Sequence, residues 1–254
     1  MRFALSFLAT LSFIAGSALA AKRSLDIDFS TYNGSPTDSA EAAKWLNSKG
    51  LWVSDWPIDS TPLPHTYLVD NVNIENGSLV LKVPAVAADG EVTGAEVATI
   101  DDQILYGTFT TWAKASPVPG VCHGFFTYTD ENHEIDIELL TSYYSKGYRY
   151  SVKKGLQLTN QPLEPGTGST NSVWEYTFDP TDAYHEYTIG WSASASKFYV
   201  DGNLVETFTT NVPRVAAQFI WNSWSSGDPN WSAGPPKKDA YLSIRRVHLE
   251  YSTA

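Results

Sequence analysis

Short β-rich runs, each bounded by turn residues, recur along almost the whole of this 254-residue chain, and that recurrence restricts it to an all-β architecture. Leu79-Val80-Leu81-Lys82-Val83 follows an Asn76-Gly77 turn, and Tyr106 to Ala113 alternates. Tyr187-Thr188-Ile189-Gly190-Trp191 leads into Lys197-Phe198-Tyr199-Val200, and Asp201-Gly202 then turns a hairpin into Leu204 to Phe208. Ala240 to Tyr251 is a last alternating run. Only Ser39 to Lys49 has helical composition, with Asp38 or Ser39 as its cap. Many short strands and one short helix predict an antiparallel sandwich or jelly roll.

Stability has to come from packing, because Cys122 is the only cysteine and one thiol makes no internal bridge. Cys122 lies in an apolar stretch and reads as a buried small hydrophobe rather than a nucleophile. Residues 1–20 stand apart from the rest. Arg2, an apolar run from Phe3 to Ala15, and Ala18-Leu19-Ala20 have the order of a secretory signal peptide. The run is short for a bilayer span, which takes about 20 residues. The expectation is therefore a signal peptide over 1–20, a single domain over 21–254, and a secreted, extracellular protein. Lys22-Arg23 reads either as a dibasic trimming site or as the first two charges of the mature chain. Three Asn-x-Ser triplets, at Asn33, Asn76 and Asn230, match the glycosylation pattern and lend secretion weak support.

The balance of 17 Lys+Arg against 28 Asp+Glu, net −11, repels phosphate backbones and anionic headgroups. It argues against nucleic-acid and membrane partners and leaves neutral polymers open. A monomer is expected. Nine Trp, fourteen Tyr and eleven Phe exceed what many cores use, and flat rings also suit a sugar-binding cleft.

The most informative segment is Asn132-His133-Glu134-Ile135-Asp136-Ile137-Glu138-Leu139-Leu140. On a strand, side chains alternate between faces. His133, Ile135, Ile137 and Leu139 then face the core, while Glu134, Asp136 and Glu138 crowd the other face. A solvated outer face would intersperse Lys or Thr among such acids. Carboxylates at i, i+2 and i+4 can also gather around calcium, although calcium prefers a loop that wraps it. The third alternative is catalysis. In a retaining glycosidase one carboxylate attacks the anomeric carbon and a second protonates the leaving oxygen, about 5–5.5 Å away. Backbone positions i and i+4 lie ~13 Å apart on a straight strand at about 3.3 Å per residue, so the side chains must lean together or the strand must curve. Asp136 between the glutamates can share a proton with the nucleophile, and its charge would help to keep the acid protonated. On this reading Glu138 has a raised pKa and Glu134 stays near or below the ordinary value.

Glu134-Ile-Asp-Ile-Glu138 resembles the signature of glycoside hydrolase family 16. Phe125-Phe126-Thr127-Tyr128-Thr129 is similar to the segment before the same strand in bacterial lichenases, which cut mixed-linkage β-1,3-1,4-glucan. Gly94-Ala95-Glu96 and Trp221-Asn222-Ser223-Trp224 with Trp231 resemble the family's cleft-lining stretches, and Tyr184 to Tyr187 and Tyr199 to Gly202 match further landmarks. The resemblance spans roughly Gly94 to Tyr251. It implies a concanavalin A-like jelly-roll sandwich of two antiparallel sheets whose concave face binds β-glucan. Glu134 would be the nucleophile, Asp136 the assisting acid and Glu138 the acid/base. Phe126, Tyr128, Trp224 and Trp231 would be sugar platforms, and Glu96 and Asn222 would bond glucose hydroxyls. No cofactor is required, and a structural calcium ion has room on such a fold.

Two positions depart from the lichenase pattern: Ala98 stands for an arginine and Asn132 for a tryptophan. The family's transglycosylases use the same carboxylates, and a non-catalytic lectin could use the same sandwich. A lectin gives no reason to keep three crowded acids. A secreted, retaining endo-β-glucanase is the reading the sequence favours.

Overall fold

The computed structural model describes residues 21–86, 90–144 and 153–254. Residues 1–20, where the sequence leads one to expect a signal peptide, lie outside the described residues. Two β-sheets pack face to face. One has eight strands, in the order Asn203–Phe208, Ser196–Val200, His185–Trp191, Ile104–Lys114, Ala240–Thr253, Ser78–Val83 and Val72–Glu75, with Lys22–Asp28 also pairing to Ala240–Thr253. The other has nine: Thr170–Trp174, Leu156–Asn160, Glu134–Leu140, Cys122–Tyr128, Gln218–Trp224, Val92–Thr99, His65–Tyr67 and Pro57–Ile58, with Leu51–Val53 also pairing to Val92–Thr99. Among the described strands every pairing is antiparallel except that of His65–Tyr67 with Val92–Thr99. This is the jelly-roll sandwich that the strand pattern predicts.

Strand alternation builds the core. Ile135, Ile137 and Leu139 are buried in the cluster that also holds Phe109, Phe219, Trp221 and Tyr187. Phe109 stacks on Phe219 across the two sheets, centroids 4.9 Å apart, and the Trp221 indole donates to Thr111 Oγ1 at 2.8 Å. The helix Ser39–Ser48 is capped by Asp38, whose carboxylate accepts from the Glu41 amide at 2.9 Å, and buries Ala42 and Leu46. Lys22 and Arg23 open the first strand, opposite Ser252 and Tyr251, and Arg23 bonds Asp101 at 2.9 Å. As folded, the dibasic pair is therefore part of a sheet.

His133 departs from expectation. The strand begins at Glu134, and His133 belongs to the turn before it, with Nδ1 2.8 Å from Asp130 and its side chain partly exposed. An imidazole that bonds an exposed carboxylate gains nothing by entering an apolar core.

Candidate active site

Cross-strand register brings the site together. Glu96, Asn222, Gly124, Glu138 and Gln157 form one row across five neighbouring strands. Ala98, Ile220, Phe126, Asp136 and Thr159 form the next, and Gln218, Tyr128 and Glu134 a third. With the isoleucines committed to the core, these rows face away from the sandwich. Glu96, Asn222, Gly124, Ile220, Phe126, Gln218 and Tyr128 line a cavity of ≈ 550 Å³ with Glu134, Asp136 and Glu138. Gly124 keeps the floor open between Glu138 and Asn222, since a Cβ there would lie 2.6 Å from Asn222 Oδ1.

The three carboxyls have different partners. Glu134 and Asp136 share a hydrogen bond, and Asp136 Oδ2 also accepts from Gln161 Nε2 at 3.0 Å. Glu138 Oε1 accepts from the Trp231 indole at 2.9 Å and from the Cys122 thiol at 3.2 Å. Burial dominates their acidity, because taking a carboxyl out of water penalises its charged form. It pushes Glu134 up to about 7, against hydrogen bonding from Asp136 and with the charge of Glu138. Burial, and then the charges of Glu134 and Glu138, hold Asp136 well above the usual carboxylate range. Burial also raises Glu138, while Trp231 and Cys122 oppose it by bonding the ionised form. Asp136 is thus the protonated partner, donating to Glu134.

A second polar cluster lies across the floor. Glu96 Oε1 accepts from Ser54 Oγ at 2.7 Å, and Asn222 Nδ2 donates to the Tyr67 hydroxyl at 3.1 Å and to Glu96 Oε2 at 3.4 Å. Beyond it the cavity is aromatic. Trp52 and Trp56 lie 4.8 Å apart, and His65 stacks on Trp224 at 5.5 Å and 13°. On the other side of Glu138 a second cavity, ≈ 760 Å³, is lined by Lys153, Gln157, Thr159, Gln161, Asn171 and Trp231 among others. Glu138 lines both. Among the described residues no group of three His, Cys, Asp or Glu side chains is arranged to hold a metal ion.

The model of the glycosyl hydrolases family 16 matches residues 61–242. The chain belongs to that family. It is a glycoside hydrolase, acting on O-glycosyl bonds. A β-glucanase of Paenibacillus polymyxa is 30% identical over 219 residues, 83% of this chain and 84% of that one. A β-glucanase of Bacillus amyloliquefaciens is 32% identical over 153 residues, covering 58% of this chain and 56% of that one. Among solved structures, a Bacillus licheniformis β-glucanase superposes with a TM-score of 0.70 at 22% identity over 89% of this chain and 97% of that one. A lichenase from a mouse hindgut metagenome superposes with 0.69 at 20% identity, over 89% and 98%. At such identities the structures show the fold.

In this family-16 domain, Glu96, Phe126, Tyr128, Asn222 and Trp224 all line the first cavity with the three acids. Trp231 lies apart, in the second cavity, and its indole N–H is committed to Glu138. One face of Trp224 is taken by His65. Cys122 is fully buried but lies on the cleft side of the sheet, diagonal to Glu138, so it is more than a small hydrophobe. Two electrostatic expectations are overturned. Glu134 does not sit near or below the ordinary carboxylate value, and a protonated Asp136 supplies no charge to hold the proton on Glu138. In both cases burial is the first cause.

Trp52, Ser54, Trp56, His65, Tyr67, Gln161 and Gln218 escape the sequence reading. Trp52 pairs with Ala98, so an aromatic lies beside the position where the lichenase pattern has an arginine. Asn132 is taken up by the turn, its Nδ2 bonding Pro162 O at 2.7 Å.

Proposed function

We propose that this protein is an endo-β-glucanase that hydrolyses β-1,3/1,4-glucan with net retention, with Glu134 as nucleophile and Glu138 as acid/base. The observation that carries this reading is the difference between the carboxyls along one strand face: Glu134 accepts a proton-bearing bond from Asp136, whereas Glu138 is held by the neutral donors Trp231 and Cys122. In the first step the Glu134 carboxylate attacks the anomeric carbon. The glycosidic C–O bond breaks, and the Glu138 proton passes to the leaving oxygen. In the second step the Glu138 carboxylate takes a proton from water, whose oxygen attacks the same carbon and releases Glu134. Asp136 steadies Glu134 in both charge states through their shared hydrogen bond.

Glu138 stands between two cavities, so a polymer can continue on either side of the cleaved bond, which suits endo action. Relatives named as β-glucanases and a lichenase support a mixed-linkage glucan. A signal peptide over residues 1–20 would deliver the enzyme to such extracellular polymers.

Glu134→Gln should abolish turnover of lichenan, and azide should rescue Glu134→Ala by attacking from the vacated face. A rescued product of retained configuration would exclude Glu134 as nucleophile. A panel of lichenan, laminarin and xyloglucan with products resolved by size tests the substrate, and products longer than the substrate would identify a transglycosylase instead.

A further inference from the structure

We propose that Cys122 is a positioning residue that acts with Trp231 to place the acid/base proton of Glu138 on Oε2; this rests on the role proposed above for Glu138. Both donors converge on one oxygen, Oε1, at 3.2 and 2.9 Å. An indole N–H can only donate, and the thiol has no exposed surface through which to turn to water. Burial, and next the charge of Glu138, raise the Cys122 pKa well above its ordinary value, so the sulfur keeps its hydrogen. The two lone pairs of Oε1 are therefore occupied, and a proton placed there would point at a donor. Oε2 is left to carry it. A carboxyl that can protonate on either oxygen presents its proton to the scissile bond for only part of the time. Two fixed donors on one oxygen remove that ambiguity before the substrate arrives.

The donors also bond the carboxylate that remains after proton transfer, so they pull the Glu138 pKa down while burial pushes it up. Among the described residues, the other charged groups around Glu138 are Asp136 and Glu134 on its own strand and Lys153 across the second cavity. Gln157, its neutral cross-strand partner, gives its amide to Tyr143 Oη at 2.7 Å.

The experiment compares Cys122→Val, which keeps the bulk but removes the donor, with Cys122→Ser, which keeps a donor. For the valine variant kcat on lichenan should fall about 3- to 10-fold, the worth of one ordinary hydrogen bond, at unchanged KM. The alkaline limb of its pH profile should move to higher pH, because the ionised form has lost a partner. Serine should restore both towards wild type. Trp231→Phe should move the limb in the same direction. An unmoved limb with unchanged kcat in Cys122→Val, serine behaving like valine, or a downward shift in Trp231→Phe would each overturn the proposal. Carboxyl NMR of the ligand-free protein, with the Glu138 signal identified by its loss in Glu138→Gln, separates this inference from the enzymatic reading. If the wild type cuts no β-glucan the function fails, yet the Glu138 titration should still rise in Cys122→Val and not in Cys122→Ser. A titration unchanged by valine overturns the positioning role whatever the activity.

Discussion

Replacing Glu134 by glutamine should stabilise the folded protein above neutral pH and leave it unchanged in mild acid, although it destroys activity. In the unfolded chain the carboxyl titrates at its ordinary 4.5, and in the folded protein burial moves it to about 7. Below pH 4.5 both states hold the proton and the group contributes nothing. Between 4.5 and about 7 the unfolded state releases its proton while the folded state keeps it, so stability falls as pH rises. Above that window the full penalty is present. At ~1.4 kcal/mol per pH unit it is about 3 kcal/mol. Glutamine keeps an acceptor for the Asp136 proton but has no charge to desolvate. A domain of this size gains roughly 2–4 °C in Tm per kcal/mol, so the variant should melt some 6–12 °C above wild type at pH 8 and level with it near pH 4. Asp136, whose pKa is also raised, makes both proteins decline with pH; because the charge of Glu134 is one of the causes that raise it, the gap between them reports the Glu134–Asp136 pair. Scanning calorimetry at half-unit pH steps is the assay. A Tm gap that is the same at pH 4 and pH 8, or one that narrows as pH rises, would refute the assignment of Glu134 as a desolvated acid.

The remaining expectations concern catalysis and the cleft. Asp136→Asn should leave the alkaline limb of kcat/KM in place, because a protonated Asp136 carries no charge to remove; a clear downward shift would mean that it is ionised at working pH. The limb that carries the Glu134 titration should lie above the ordinary carboxylate range, towards about 7, and it belongs to the coupled acids rather than to one residue. Trp56→Ala should weaken binding of long glucans by about 1–3 kcal/mol, seen in KM with kcat unchanged, and spare short aryl glycosides. An equal loss on both substrates would place Trp56 at the bond being cut. Glu96→Gln should keep the bonds to Ser54 and Asn222 in altered form and raise KM, whereas a fall in kcat alone would tie Glu96 to the chemistry.

Alternation made much of this protein legible from its residues. Glu134, Asp136 and Glu138 can share a face only if Ile135 and Ile137 share the other, and burying two isoleucines decides which face enters the core. The same period of two separates Trp221, fully buried, from Asn222 and Trp224 in the cleft. The Asp201-Gly202 hairpin and the Asp38 cap are equally local, because turn and cap chemistry acts over two to four residues. What lay beyond reach is set by contacts between distant segments. Trp52, Trp56, His65 and Tyr67 come from a stretch without a recognisable motif, and they reach the cleft only because the short strands that carry or flank them add to Val92–Thr99 and to each other. That the Trp231 indole meets a carboxyl 93 residues earlier in the chain is decided by the loop that carries it there. Cys122 looks like filler until the register sets it diagonal to Glu138. The protonation of the acids is decided in the same way. A one-dimensional pattern shows how many carboxylates are neighbours, but desolvation depends on everything packed around them, and here it outweighs every other influence on the acidity of all three.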